Sequence, residues 1–222
     1  MNFFAYRRAA AFTAVFLALT LKLPAEPTNN GVLFASHFEC GLAGRWQQVK
    51  FGLPTDYAVA LDGTNFFLHA AASNSCSALM AKLNLKPPAH LFLRWRWKID
   101  HTPPHASDRT VRDYDHSARV LIAFDTFIGP PRSINYLWAN SEKIGTAMSH
   151  PLVSRAQMLV LETGNTHAGE WITEERDVTA DWRRLFGDKS MSKIVGVGVL
   201  TDTDSTHTQA TAGYADLELY SP

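Results

Sequence analysis

Residues 91 to 99 set the pattern of the chain. Leu91, Leu93, Trp95, Trp97 and Ile99 fall on one side, and Arg94, Arg96 and Lys98 on the other. A period of two over nine residues predicts a strand with one face turned to a second layer. The other face carries three cations in a row, which calls for acidic neighbours on adjacent strands or an anionic ligand. Further β-rich runs recur at 32–36, 46–50, 57–61, 66–70, 77–84, 118–125, 134–139, 156–162, 170–178, 193–201 and 212–220. Turn residues separate them, as at Asp62-Gly63-Thr64-Asn65 and Gly129-Pro130-Pro131. Many short strands with turn signals predict an all-β sandwich or barrel, and the lack of regularly alternating long helices argues against a parallel α/β fold. One helix is predicted over 179–187, with Thr179 as cap, Trp182, Leu185 and Phe186 on one face, and Gly187 as the stop. The longest irregular stretch, 100–117, holds three histidines with Asp108, Asp113 and Asp115.

The N-terminus changes the expected location. Arg7 and Arg8 precede an uncharged, mostly apolar run from Ala9 to Leu21, too short to span a bilayer comfortably. The reading is a signal peptide over residues 1–25, then one domain over 26–222, periplasmic or secreted, with no membrane span after cleavage. Removing 1–25 takes away Arg7, Arg8 and Lys22 and no acid, so 21 basic against 21 acidic side chains becomes 18 against 21. That balance argues against a nucleic-acid partner. In an exported chain an isolated cysteine pair favours a disulfide, so Cys40–Cys76 is expected, with two free thiols as the alternative.

The candidate chemistry gathers on the polar strand faces. Arg94, Arg96, Asp115, Arg119, Asn135, Tyr136, Trp138, Glu162, Arg176, Asp202 and Asp204 lie in or beside strands that could share one concave surface. A sugar ring has hydroxyls and an apolar C–H face, so Arg, Asp, Glu and Trp suit it. The same residues would also make a structural ion-pair lattice, justified only if fully paired. Glu162 with Asp202, or Asp113 with Asp115, are the carboxyl pairs for glycoside cleavage. A lyase would use Arg94 and Arg96 against a uronate with Tyr136 or His207 as base. His101-x-x-x-His105 spans two prolines and is no helical zinc pair, and Asp202-x-Asp204-x-Thr206 lacks the glycine and glutamate of an EF-hand. Gly196 and Gly198 read as small residues admitting a ligand or a neighbouring side chain.

Several blocks, taken in order, carry a family resemblance. They are Leu93-Arg94-Trp95-Arg96-Trp97-Lys98, Asp115-x-x-Ala118-Arg119, Asn135-Tyr136-Leu137-Trp138, Leu161-Glu162-Thr163-Gly164, Trp171-x-x-Glu174-x-Arg176-Asp177-Val178, Asp181-Trp182-Arg183-Arg184-x-Phe186-Gly187 and Thr201-Asp202-Thr203-Asp204-Ser205-Thr206. The set resembles DUF3047, a family of exported bacterial proteins, over roughly residues 32 to 220. Tyr114 stands where that family often has the first of two adjacent acids. A looser similarity is to jelly-roll carbohydrate-binding modules, through Phe38-Glu39 with Gly44-x-Trp46 and Tyr214-Ala215-Asp216-Leu217-Glu218-Leu219. It implies an antiparallel jelly-roll sandwich, a carbohydrate or envelope glycan as partner, and a structural calcium held by Glu39 and Asp216. The expected function is glycan binding on the polar face, with glycan cleavage there, or a structural role without ligand, as alternatives.

Overall fold

The computed structural model describes residues 31–126, 128–187 and 190–222; the signal segment read at 1–25 lies outside them. The strands are β1 (Val32–Ser36), β2 (Trp46–Lys50), β3 (Asp56–Asp62), β4 (Asn65–Ser73), β5 (Cys76–Leu85), β6 (Phe92–Ile99), β7 (Ala118–Phe124), β8 (Arg132–Ala139), β9 (Ala147–Ser149), β10 (Ala156–Thr163), β11 (Ile172–Asp177), β12 (Ile194–Asp202) and β13 (Gln209–Tyr220), with one helix, α1 (Val178–Phe186). They form two sheets. The first runs β11-β6-β13-β4-β3, with β1 added to the far half of β13. The second runs β2-β5-β12-β7-β8-β10-β9. All pairings are antiparallel except β8 with β10. From β4 to β7, and again from β10 to β13, each connection crosses between the sheets. That winding makes the sandwich a jelly roll.

The alternation in β6 is realised as read. Leu93, Trp95, Trp97 and Ile99 are fully buried between the sheets, and Arg94, Arg96 and Lys98 face outward. Trp95 packs on Tyr136 and Trp97 on Trp138, joining the sheets through aromatic contacts with ring centres 5.2 and 5.6 Å apart. Trp182 of α1 packs against Phe124 and adds to this core.

The helix sits one residue earlier than expected, and its cap differs. Asp177, not Thr179, caps it, its Oδ1 accepting the Ala180 N–H at 2.9 Å. Thr179 instead accepts the Leu91 N–H, tying the helix to the start of β6. Gly187 ends the helix as predicted, at φ 71°, a left-handed conformation that glycine adopts without a Cβ clash. Strand β9 has no counterpart in the sequence reading; three residues are too few for alternation to register. The expected disulfide is absent. Cys40 is exposed in the turn after β1, while Cys76 is buried at the start of β5 in the other sheet, beside Asp202.

Candidate functional site

Strand parity decides which polar side chains meet, and it divides the expected single face in two. Arg94 and Arg96 lie on the outer face of the six-stranded sheet, where Arg94 pairs with Glu218 at 2.7 Å and Arg96 with Asp216 at 2.6 Å. Lys98 reaches Asp62 at 3.4 Å, and Trp171 lies beside Arg96 and Lys98 with its Nε1 donating to Asp62. Each of the three cations on this face therefore has a carboxylate partner from the chain itself. Here the lattice reading holds.

Asp216 belongs to that lattice. It occupies a bulge of β13 at φ 51°, and its two oxygens accept from Arg96 and His37. Glu39 is an exposed turn residue. A calcium ion needs six to eight oxygen ligands. A carboxylate already shared by a guanidinium and an imidazole does not fit that role, so the residues do not support the calcium site expected of Glu39 and Asp216.

Tyr136 and Trp138 are core residues, a correction to their reading as site residues. On β8, Ile134, Tyr136 and Trp138 point inward and Asn135 points outward. The Tyr136 hydroxyl donates to Asp181, which Arg176 also grips through two nitrogens. That triad, with Tyr136 and Asp181 buried and Arg176 partly exposed, anchors α1 to β8 and β11. Glu162 lies at the nearby sandwich edge, bonded to His167 at 3.0 Å and far in role from Asp202. Its carboxyl neighbour is Glu174 of β11, which sequence reasoning passed over. Burial, and then the Glu162 charge, push the Glu174 carboxyl up to about 7.

The remaining candidates assemble on the outer face of the seven-stranded sheet. Arg119 and Asp202 form an ion pair, each only 3 % exposed. Burial works against the Arg119 charge, and Asp202 outweighs it. Asp202 also accepts the His116 N–H at 2.9 Å and faces the Cys76 thiol. Asp204 sits beside them, and burial together with Asp202 and Asp115 raises its carboxyl. Asp115 ties down the loop after β12 by accepting from Ser205 N and from Thr206 N and Oγ1. Asp108, in the long loop before β7, accepts six hydrogen bonds, from Asn140, Ser141, Glu142 and His116. Burial would raise its carboxyl, but these donors hold it well below the usual range.

The Arg119 guanidinium lies over the Tyr114 ring, 5.4 Å from its centre. Nη2 reaches Asp202, while the neighbouring Nε is buried without an acceptor. Next to it lies an apolar floor of Ala78, Leu121 and Leu200, between 3 and 9 % exposed although they are on an outer face. Neighbouring side chains cover these residues. Met80 lies across Gly196 and Gly198; a Cβ would collide with its sulfur at Gly198 and crowd its methyl at Gly196, so these glycines admit a neighbouring side chain. Tyr114 and His150, stacked edge-on at 4.7 Å, rise on the other side over Leu137 and Met158. Loop 51–54 hangs at the Cys76 end, bonded to it by three backbone hydrogen bonds. Its Phe51 and Leu53 are 65 and 62 % exposed.

Cys76, Asp202 and Asp204 are, among the described residues, the one set of three potential metal ligands lying within 4.8 Å of one another. They suit a metal poorly. Burial, and then Asp202, push the Cys76 thiol far up, and Arg119 already occupies Asp202. The floor, loop 51–54 and the Glu162–Glu174 neighbourhood were not read from sequence. Only β5 and β12 parity, taken together, could have signalled the floor.

The sequence profile of the family described as "Protein of unknown function (DUF3047)" matches residues 44–218. No curated protein matches the chain. Among solved structures, the family 11 carbohydrate-binding module of Lic26A-Cel5E from Clostridium thermocellum is similar at 10 % identity and TM-score 0.44, over 80 % of this chain and 88 % of that one. The module TmCBM61, solved with β-1,4-galactotriose, is similar at 11 % identity and TM-score 0.44, over 84 % and 94 %. The K3 adhesin domain of Lys-gingipain from Porphyromonas gingivalis is similar at 10 % identity and TM-score 0.42, over 86 % and 99 %.

Proposed function

We propose that this chain, which belongs to the DUF3047 family, is an exported protein that binds carbohydrate on the outer face of its seven-stranded sheet. The observation that carries this reading is the cluster of Arg119, Asp202 and Asp204 beside the apolar Ala78, Leu121 and Leu200, next to a loop whose Phe51 ring is exposed. A sugar presents an apolar C–H face to such a ring and hydroxyls to such carboxylates.

Retardation of the purified protein in native gels containing soluble polysaccharides tests the reading. Burying a phenyl ring contributes about 1.5–3 kcal/mol, so Phe51→Ala should weaken binding about 10- to 100-fold. Phe51 is exposed, so this change leaves folding intact. Ala78→Trp, which fills the floor, should abolish retardation. Indifference of a bound glycan to both changes, or the absence of any glycan ligand, sinks the proposal. Export is tested by N-terminal sequencing of the protein recovered outside the cytoplasm, which should begin near residue 26.

A second reading has one observation of its own. The Glu162–Glu174 pair sets two carboxyl groups side by side, with that of Glu174 pushed up to about 7 by burial and then by Glu162, and glycoside cleavage uses a raised carboxyl of this kind as its acid. Loss of oligosaccharide release in Glu174→Gln would support it.

A further inference from the structure

Beyond the end of β5 opposite Cys76, the turn after β5, helix α1 and the segment leading into β12 border a cavity of about 680 Å³. We propose that it binds a small molecule carrying two or more clustered anionic groups, phosphate or carboxylate. Lys86, Arg183 and Lys193 line it, one from each of those segments, and no carboxylate stands among its described lining residues. All three cations are exposed, so their charges are open to a ligand. Among the described residues, none of the three side chains has a hydrogen-bond or ion-pair partner. The cations of the six-stranded sheet differ in this respect, since Arg94, Arg96 and Lys98 each hold a carboxylate of the chain.

Strand register forces two of these charges together. β5 and β12 are antiparallel, with Leu85 opposite Ile194. One residue beyond that pair, the same register sets Lys86 opposite Lys193. Like charges so placed repel and weaken the end of the sheet. Pro87 follows Lys86 and disfavours a helical backbone there, which limits how far the lysine can turn aside. Asp125 neighbours Lys193, its backbone N–H donating to the Lys193 carbonyl, but its carboxylate accepts the Thr126 N–H and forms no ion pair. Arg183 lies one turn along α1 from Thr179, which also lines the cavity. A ligand with a single negative group would leave two cations unanswered. Two or more such groups on one small skeleton can meet the ammonium groups and the guanidinium together, the guanidinium through paired N–H donors. Neutral hydroxyls would leave all three charges uncompensated. The volume falls within the range of small-molecule sites.

Titration calorimetry of the purified protein with inorganic pyrophosphate and with citrate, at low ionic strength, tests this. At least one of the two should bind, and the tighter of them identifies phosphate or carboxylate as the group the site takes. Each of Lys86→Ala, Arg183→Ala and Lys193→Ala should weaken that anion about fivefold, the triple change should abolish its binding, and added salt should weaken it as well. Lys86→Ala removes one of two opposed cations at an exposed position, so without ligand this variant should melt no lower than the parent protein. Lys50→Ala removes a cation at the far end of the same sheet, where Lys50 pairs with Ser77 at the start of β5, and should leave binding unchanged. Silence of both anions, or binding that survives the triple change, would overturn the assignment. So would an equal loss in Lys50→Ala, which would mean general attraction to basic side chains, or displacement of the bound anion by cellobiose, which would place it on a site for neutral sugars.

Discussion

Removing one member of the Arg119–Asp202 pair should be among the most damaging single changes in the protein. Both side chains are 97 % or so removed from water, so the loss of either partner leaves an uncompensated charge in a low-dielectric setting. For a buried pair that costs about 3–5 kcal/mol, against about 1 kcal/mol or less for an exposed one. Arg119→Met strands Asp202 beside Asp204 and Asp115, which already repel it. Asp202→Asn strands the guanidinium but keeps an acceptor for the His116 N–H. Each single change should therefore lower the melting temperature by about 6–20 °C, at about 2–4 °C per kcal/mol for a domain of this size. Urea titrations should show a lower midpoint with an unchanged slope. The double change Arg119→Met with Asp202→Asn removes both charges and should be less destabilised than either single, giving a coupling energy of about 2 kcal/mol or more. Single changes that cost under 1 kcal/mol, or a double change equal to their sum, would refute the buried pair and with it the anchor of the sheet-face site.

Glu174 should make stability fall as pH rises. Its carboxyl is raised in the folded state, so its full contribution is present below the unfolded value near 4.5 and is lost as pH climbs through about 7. Glu174→Gln should flatten that window and stabilise the protein at pH 8 by about 1–2 kcal/mol, less than the whole shift implies because part of the group still meets water; chemical denaturation at pH 5 and pH 8 checks it, and a variant with the wild-type slope counts against it. Thiol titration with a chromogenic disulfide should find Cys40 fast and Cys76 silent until denaturant is added, and a native protein with no titratable thiol would restore the disulfide. Asp108→Ala frees six donors at once and should cost about 3 kcal/mol or more, measured by urea unfolding, with a loss under 1 kcal/mol contradicting the loop's dependence on it.

Strand alternation made the layers legible because period two reports which face is buried, whatever the strand's neighbours are. Trp95 and Trp97 were placed in the core and Arg94, Arg96 and Lys98 outside it for that reason. The same signal cannot say which sheet a strand joins. Arg96 and Arg119 both read as outward-facing cations, yet β6 and β7 lie in opposite sheets, so their side chains leave the molecule in opposite directions. Parity was also undecided on β8, where Asn135 and Tyr136 are both polar enough to face out. The Tyr136 hydroxyl goes inward because Asp181 waits there to accept it. Glu174 escaped notice because its parity places a carboxylate on the inner side of β11, a position that only the open edge makes tolerable.

Charge balance separates what the two outer faces can do. On the six-stranded sheet, Arg94, Arg96 and Lys98 each meet a carboxylate from the chain, so a ligand there would have to displace formed ion pairs. On the seven-stranded sheet the count runs the other way, with Asp115, Asp202 and Asp204 against Arg119 alone in the same cluster. Burial first, and then the Asp202 and Asp115 charges, raise the Asp204 carboxyl. A uronate brought to this cluster would add a further negative charge beside three carboxylates, while the arginines read for an anionic-glycan lyase, Arg94 and Arg96, lie on the other sheet with carboxylates of their own. Neutral hydroxyls, able to donate to the acidic oxygens, fit the imbalance better than a further anion, and the sequence, with arginines on both faces, could not show which of them are already paired.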